Sequence, residues 1–128
     1  MQCLDSAFLV DLVRGDEGAV RKAASMKAEG VRPSVASVAL AEVMLGAHFL
    51  GGAYLRRSLE ITSVTEILDL DDRAAAEAGR MGAEQLKRGA AVGFADLLIA
   101  ATAKVNGRVI VSRDGVFTRI PGIAVESY

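Results

Sequence analysis

Cysteine and histidine each occur once in the 128-residue chain, proline occurs twice, and aromatic side chains make up only 5% of it. The single Cys3 excludes an internal disulfide and a cysteine-rich zinc site, and its place in the opening apolar run reads as packing. The single His48 excludes a two-histidine metal centre and reads as a helix-junction residue. One His and one Cys cannot assemble a Ser/His/Asp or Cys/His nucleophile set. With few aromatics, the core must be built from Ala, Val, Leu and Ile, within a hydrophobic content of 52%. Neither charge sign dominates: fifteen basic and sixteen acidic side chains give −1. A broad basic nucleic-acid surface is therefore not indicated, although the balance leaves room for a local patch. No run reaches the ~18–20 apolar residues of a membrane-spanning helix. The N-terminus lacks a charged leader followed by a long apolar segment, so a soluble cytoplasmic protein is expected. Linkers, repeats and low-complexity stretches are absent, and Gly51-Gly52 lacks the phosphate-loop pattern. The length fits a single domain over 1–128.

Apolar periodicity and punctuation predict alternating strands and helices. QCLD (2–5), VRP (31–33), VTEIL (64–68), VIVS (109–112) and IAVES (123–127) read as strands. Ser6 to Val13 reads as a short helix. Asp16 is placed to cap the next helix, with Glu17 in its first turn and Gly30 past its end, and Val20, Ala23, Ala24 and Lys27 at i, i+3, i+4, i+7 fit a surface helix with one face inward. Ser34 or Ser37 is expected to cap a helix running to about Ala47, followed by one over roughly 49–59. Asp71 or Asp72 opens a helix over 73–88. Its small inner stripe is Ala75, Ala78, Gly79, Gly82 and Leu86, and its outer face of Arg73, Glu77, Arg80 and Glu84 alternates in sign. The helix over 94–106 is apolar nearly all round and should be buried. This alternation predicts an α/β fold with a parallel sheet and helices on both faces. Ligands in such sheets bind beyond the carboxyl ends of the strands.

Four acids stand in or against stretches that otherwise read as core. Asp5 ends the first apolar run, Glu42 is the only charge in VASVALAEVMLG, Asp96 opens LLIAATA, and Asp114 follows VIV by three positions. A buried carboxylate must be hydrogen-bonded, protonated or bound to a cation. Singly, each has a structural explanation. Asp5 can cap a helix, Glu42 can pair with one of eleven arginines, Asp96 suits a helix dipole, and Asp114-Gly115 is a turn pair. Glu42 is the hardest to explain so, because Val38, Leu40, Val43, Met44 and Leu45 surround it on a helix and predict burial. Together the four acids suggest one site for a hard divalent cation, which prefers oxygen ligands. Asp5 and Asp114 fall at the carboxyl ends of two strands that a sheet can place side by side. Ser6 and Ser112 are candidate supporting hydroxyls, and Arg113 and Arg119 candidate phosphate contacts.

The segments LDSAFLVDL (4–12), SVALAEVMLG (37–46), GFADLLIAATA (93–103) and VIVSRDGVF (109–117), in this order and spacing, resemble the PIN-domain ribonucleases, specifically the toxin half of VapBC-type toxin–antitoxin pairs. ILDLDDRAAAEAGRM also matches the run into the third segment, so the resemblance covers most of the chain. It implies that Asp5, Glu42, Asp96 and Asp114 are the family's four acids. Two positions depart from the family's habit. Ser112 stands where Thr is common, keeping the hydroxyl, and Ala7 where Asn is common, which loosens local polar contacts.

The resemblance further implies a three-layer fold with a central, mostly parallel sheet of 4–5 strands. It implies an endoribonuclease using Mg²⁺ or Mn²⁺, a homodimer, and a VapB-like antitoxin that blocks the site by inserting an arginine among the carboxylates. With a net charge of −1, selective cleavage at a single-stranded loop of a structured RNA fits better than indiscriminate binding. Two alternatives are a receiver-like phosphoacceptor signalling domain and a catalytically silent PIN-fold protein-binding module. The first needs adjacent acids after the first strand, a phosphoacceptor Asp after the third and a late Lys. Here Asp5 precedes Ser6, the third strand leads to Leu70-Asp71, and Lys104 lies within a helix. Intact acids argue against the second.

Overall fold

A computed structural model of the chain describes residues 1–128. The chain runs β1 (Gln2–Leu4), α1 (Ser6–Val13), α2 (Glu17–Ala28), β2 (Ser34–Ala36), α3 (Ser37–Leu50), α4 (Gly52–Ser63), β3 (Glu66–Leu68), α5 (Asp72–Lys87), α6 (Phe94–Val105), β4 (Val109–Val111), a 3₁₀ turn at Phe117–Arg119, and β5 (Val125–Glu126). All five strands are parallel, in the order β3-β2-β1-β4-β5. Successive residues of a strand point to opposite faces. Ser34, Val35 and Ala36 are all fully buried, as are Cys3, Ile110 and Val111, so both faces of the sheet are covered. Parallel strands need crossover connections, and right-handed crossovers that run one way from β1 and the other way into β4 put helices on opposite faces.

The order also fixes the functional end of the molecule. The chain winds outward from β1 through β2 to β3, then returns to place β4 on the other side of β1. The β1/β4 boundary is therefore the point where the winding reverses, and ligands of open parallel sheets bind there, past the carboxyl ends. The register Leu4↔Val111 brings Asp5 and Ser112, each one residue further on, to that crevice.

Local chemistry explains most boundaries. Asp16 Oδ2 accepts from Ala19 N at 3.0 Å and Asp71 Oδ1 from Ala74 N at 2.9 Å, so both helices begin with an aspartate cap. Gly107, at φ +65°, follows α6 in the left-handed conformation that glycine adopts without Cβ strain. On α5, Arg80 bridges Glu77 and Glu84, and Lys104 of α6 reaches Glu77 at 2.7 Å.

Several expectations are corrected. β2 is Ser34–Ala36, not 31–33. Pro33 cannot donate to a ladder, so pairing starts after it, and Ser34 is a strand residue whose hydroxyl donates to Gln2 O. α3 consequently begins after Ala36 without a side-chain cap, and Ser37 Oγ instead accepts from Leu70 N at 3.1 Å. The buried stripes of two helices are rotated by about one residue from those expected. α2 buries Ala19 and Met26 with Ala23 half-buried, and α5 buries Ala74, Ala78, Met81 and Gln85, leaving Leu86 exposed.

Gly82 keeps its expected role in close helix packing. A Cβ at that position would stand 3.2 Å from Leu97 Cδ1 of α6. Gly82→Val is expected to cost about 1–3 kcal/mol by forcing Leu97 aside, measured by chemical denaturation.

Candidate metal centre

Asp5 is the fixed point of the site. It occupies the N-cap position of α1, yet its side chain makes no cap hydrogen bond of regular geometry. The residue is 3% exposed, and Oδ2 accepts from Ser112 Oγ at 2.8 Å. Ser112 Oγ in turn accepts from Asp114 N at 3.0 Å, and Asp114 Oδ1 accepts from Val116 N at 3.0 Å. One hydroxyl thus ties the end of β1 to the turn that carries Asp114. The Ser6 hydroxyl stands at 3.5 Å from Asp5 Oδ1, the limit of a hydrogen bond, and also faces Glu42.

The other carboxylates gather around Asp5 electrostatically. Burial raises the Asp5 pKa above its ordinary value; Ser112 and the N–H groups of Ser6 and Ala7 oppose this, and the charge of Asp114 adds to it. Glu42 is raised by partial burial, lowered by Ser6, and raised again by Asp5 and Asp96. Asp96, in the first turn of α6, is raised by burial and by Asp5 and Asp114. Asp5 and Asp96 are each coupled to all three other acids, which come from α3, the start of α6 and the β4 turn. Like charges at this range disfavour joint ionisation.

Glu42 itself is a correction. It is exposed, not buried. Its helix turns an apolar face to solvent: Leu45 is 75% and Phe49 86% exposed, three and seven positions along. Apolar neighbours on a helix signal burial only if another element covers them.

Without an ion, no three of these acids converge tightly enough to form a closed cage. The donor set still fits a hydrated hard cation. Mg²⁺ keeps several waters and binds through one or two carboxylates, whereas a closed set of nitrogen and sulfur donors would suit zinc.

Sequence reasoning missed one part of the surroundings. Asp11, 7% exposed, accepts from Arg113 Nε at 2.7 Å and Nη2 at 3.0 Å, and from Tyr128 OH at 2.5 Å. Tyr128 stacks edge-on against Phe8 at 4.8 Å. This network buttresses the residue between Ser112 and Asp114. The signal for it was available, because Asp11 is the only charge within the apolar helix SAFLVDLV. Arg119 lies exposed on the 3₁₀ turn.

Ser112→Ala removes the donor to a buried carboxylate and the acceptor of the Asp114 N–H. Loss of a group that orients a metal ligand typically costs about 10–100-fold in metal affinity. That loss is expected in a metal titration, and Ser112→Thr, which keeps the hydroxyl, should restore most of it.

A receiver-type reading is not supported at the third strand: Asp69 follows β3 directly, but β3 is an edge strand separated from β1 and Asp5 by β2, and Asp71 is engaged in capping α5. Comparisons with known proteins bear on the family and the fold. The PIN-domain profile matches residues 3–123. The tRNA(fMet)-specific endonuclease VapC of Salmonella typhimurium is 34% identical over 102 residues, 76% of this chain and 76% of that protein. DNA-bound VapBC from Salmonella typhimurium aligns with a TM-score of 0.84 at 29% identity, covering 98% of this chain and 96% of that one. FitAcB from Neisseria gonorrhoeae gives the same TM-score and coverage at 27% identity. The chain belongs to the PIN-domain family and, within it, to the VapC endoribonuclease toxins of type II toxin–antitoxin systems.

Proposed function

We propose that the carboxylates hold Mg²⁺ or Mn²⁺ and that the site cleaves a structured RNA at a single-stranded loop. The observation that carries this reading is the mutual coupling of Asp5 and Asp96 with Glu42 and Asp114 where the sheet winding reverses. Bound there, the ion would supply positive charge to the scissile phosphate and make a water more acidic. Asp5, held by Ser112, and Asp96, fixed at the start of α6, would be its direct ligands. Glu42 and Asp114 would bind through water. Glu42, with its raised pKa, is the better base for the proton that the attacking water loses. Arg113 and Arg119 would meet RNA phosphates, and Asp11 holds Arg113 in place for this.

A VapB-like antitoxin is the partner, and the protein acts as a homodimer in the cytoplasm. Two similar structures are VapBC and FitAcB assemblies, and no helix is long and apolar enough to cross a membrane. The antitoxin would block the site with an arginine among the carboxylates. The relative named for tRNA(fMet) makes a transfer RNA pool the first substrate to try. The test is cleavage of such a pool by purified protein with Mg²⁺, with Mn²⁺ and with a chelator. Cleavage that survives chelation would overturn the metal-dependent reading.

A further inference from the structure

Besides the carboxylates, a second feature opens at the same end of the molecule. A cleft of about 330 Å³, at the low end of the ligand-pocket range, is lined by Ser6, Val10, Arg14, Glu42 and Arg113 among others. Ser6 and Glu42 belong to the carboxylate site as well, so the two spaces share a wall. Arg14, the residue after α1, is exposed and enters none of the chain's ion pairs. Across from it, the Arg113 guanidinium is held through Nε and Nη2 by Asp11, which leaves Nη1 without a partner in this pair. Its side chain remains 64% exposed. Tyr128, bonded to the same Asp11, keeps the fork from swinging away.

We infer that this cleft is a subsite for an RNA phosphate flanking the scissile one, with Arg14 as its free cation and Arg113 as its preorganised one. The inference rests on the ribonuclease reading and deepens it. The chain as a whole carries −1, so a strand crossing four carboxylates needs local cations beside them. Asp11 neutralises Arg113, and Arg14 supplies the uncompensated charge. Arg119, expected from sequence to act with Arg113, does not line this cleft. An arginine fork held on one edge can still present its other edge to a phosphate with little further loss of freedom.

The test uses full-length Asp96→Asn protein, in which binding is read without cleavage. A labelled single-stranded oligoribonucleotide is titrated by fluorescence anisotropy in Mg²⁺ between 50 and 200 mM salt (a range over which phosphate contacts are resolved). Adding Arg14→Ala should weaken binding about five- to tenfold and reduce the salt slope by roughly 0.7, the contribution of one phosphate contact on a single strand. Arg14→Lys should keep most of the slope. Arg88→Ala, at the end of α5, should change neither quantity. Equal affinity and slope for Arg14→Ala and Arg88→Ala would overturn the inference and leave Arg14 as a cation at a helix end. Failure of the ribonuclease reading shows separately, as wild-type protein that binds this RNA in an Arg14-dependent way but cuts none.

Discussion

Asp96→Asn and Asp5→Asn should each lower the RNA cleavage rate by roughly a thousandfold or more while leaving the fold intact. The magnitude follows from what is removed. A metal that activates water and offsets charge on the phosphate lowers the barrier by several kcal/mol, and about 4 kcal/mol corresponds to three orders of magnitude. Asp5 and Asp96 have the largest effect because each is coupled to every other acid of the site. Glu42→Gln and Asp114→Asn should cost less, about 10–100-fold, since both side chains are exposed and on the proposed reading would reach the ion through water. Retained fold is expected because asparagine is nearly the same size and shape as aspartate, and at position 5 its carbonyl can accept the Ser112 hydrogen bond. The measurement is single-turnover cleavage in Mg²⁺, with circular dichroism as the control. Wild-type rates in purified Asp96→Asn would remove the assignment of this carboxylate.

The second large effect is on stability, and its sign depends on the ion. In the ion-free protein, Asp5, Glu42 and Asp96 all have pKa values above their ordinary 3.8, 4.5 and 3.8. Between those values and the raised ones, the native state binds more protons than the unfolded chain. Stability therefore falls as pH rises through that window, and the ion-free protein should melt higher in mild acid than at pH 7. Glu77 works the other way. Hydrogen bonds from Arg80 and Lys104 hold it down at about 2, so its contribution is lost only as pH falls below the ordinary range. Mg²⁺ should reverse the mild-acid trend by favouring the ionised acids. Asp5→Asn should raise the ion-free melting temperature at pH 7 by several degrees, each kcal/mol of relieved repulsion being worth roughly 3–6 °C. It should also abolish the Mg²⁺-dependent rise. Differential scanning calorimetry across pH, with and without Mg²⁺, reads both. An Asp5→Asn protein less stable than the ion-free wild type at pH 7 would contradict this electrostatic account.

Much of the site was legible because its signals are local. An acid at the end of an apolar strand, or at the start of an apolar helix, is conspicuous in a chain this rich in Ala, Val and Leu, and Asp5 and Asp96 lie where those signals put them. That β1 and β4 could lie side by side was open from the sequence, and the structure pairs them. What failed depended on knowing which face another element covers. On the alanine-rich α2 and α5, the apolar stripe can be drawn one residue to either side, and the strand just after Pro33 was placed too early. Glu42 was expected to be buried among apolar neighbours, but Leu45 and Phe49 on its helix face solvent. The Asp11–Arg113–Tyr128 network joins residues more than a hundred positions apart, and no short-range pattern links them.

The central claim is that oxygens from four separate segments enclose one divalent ion at the β1/β4 crevice. Anomalous diffraction from crystals soaked in Mn²⁺ tests it most directly. The account predicts a peak within direct bonding distance, roughly 2–2.5 Å, of Asp5 and Asp96, and within water-bridged reach of Glu42 and Asp114. A well-diffracting crystal with no peak there, or with manganese bound only elsewhere, would contradict it.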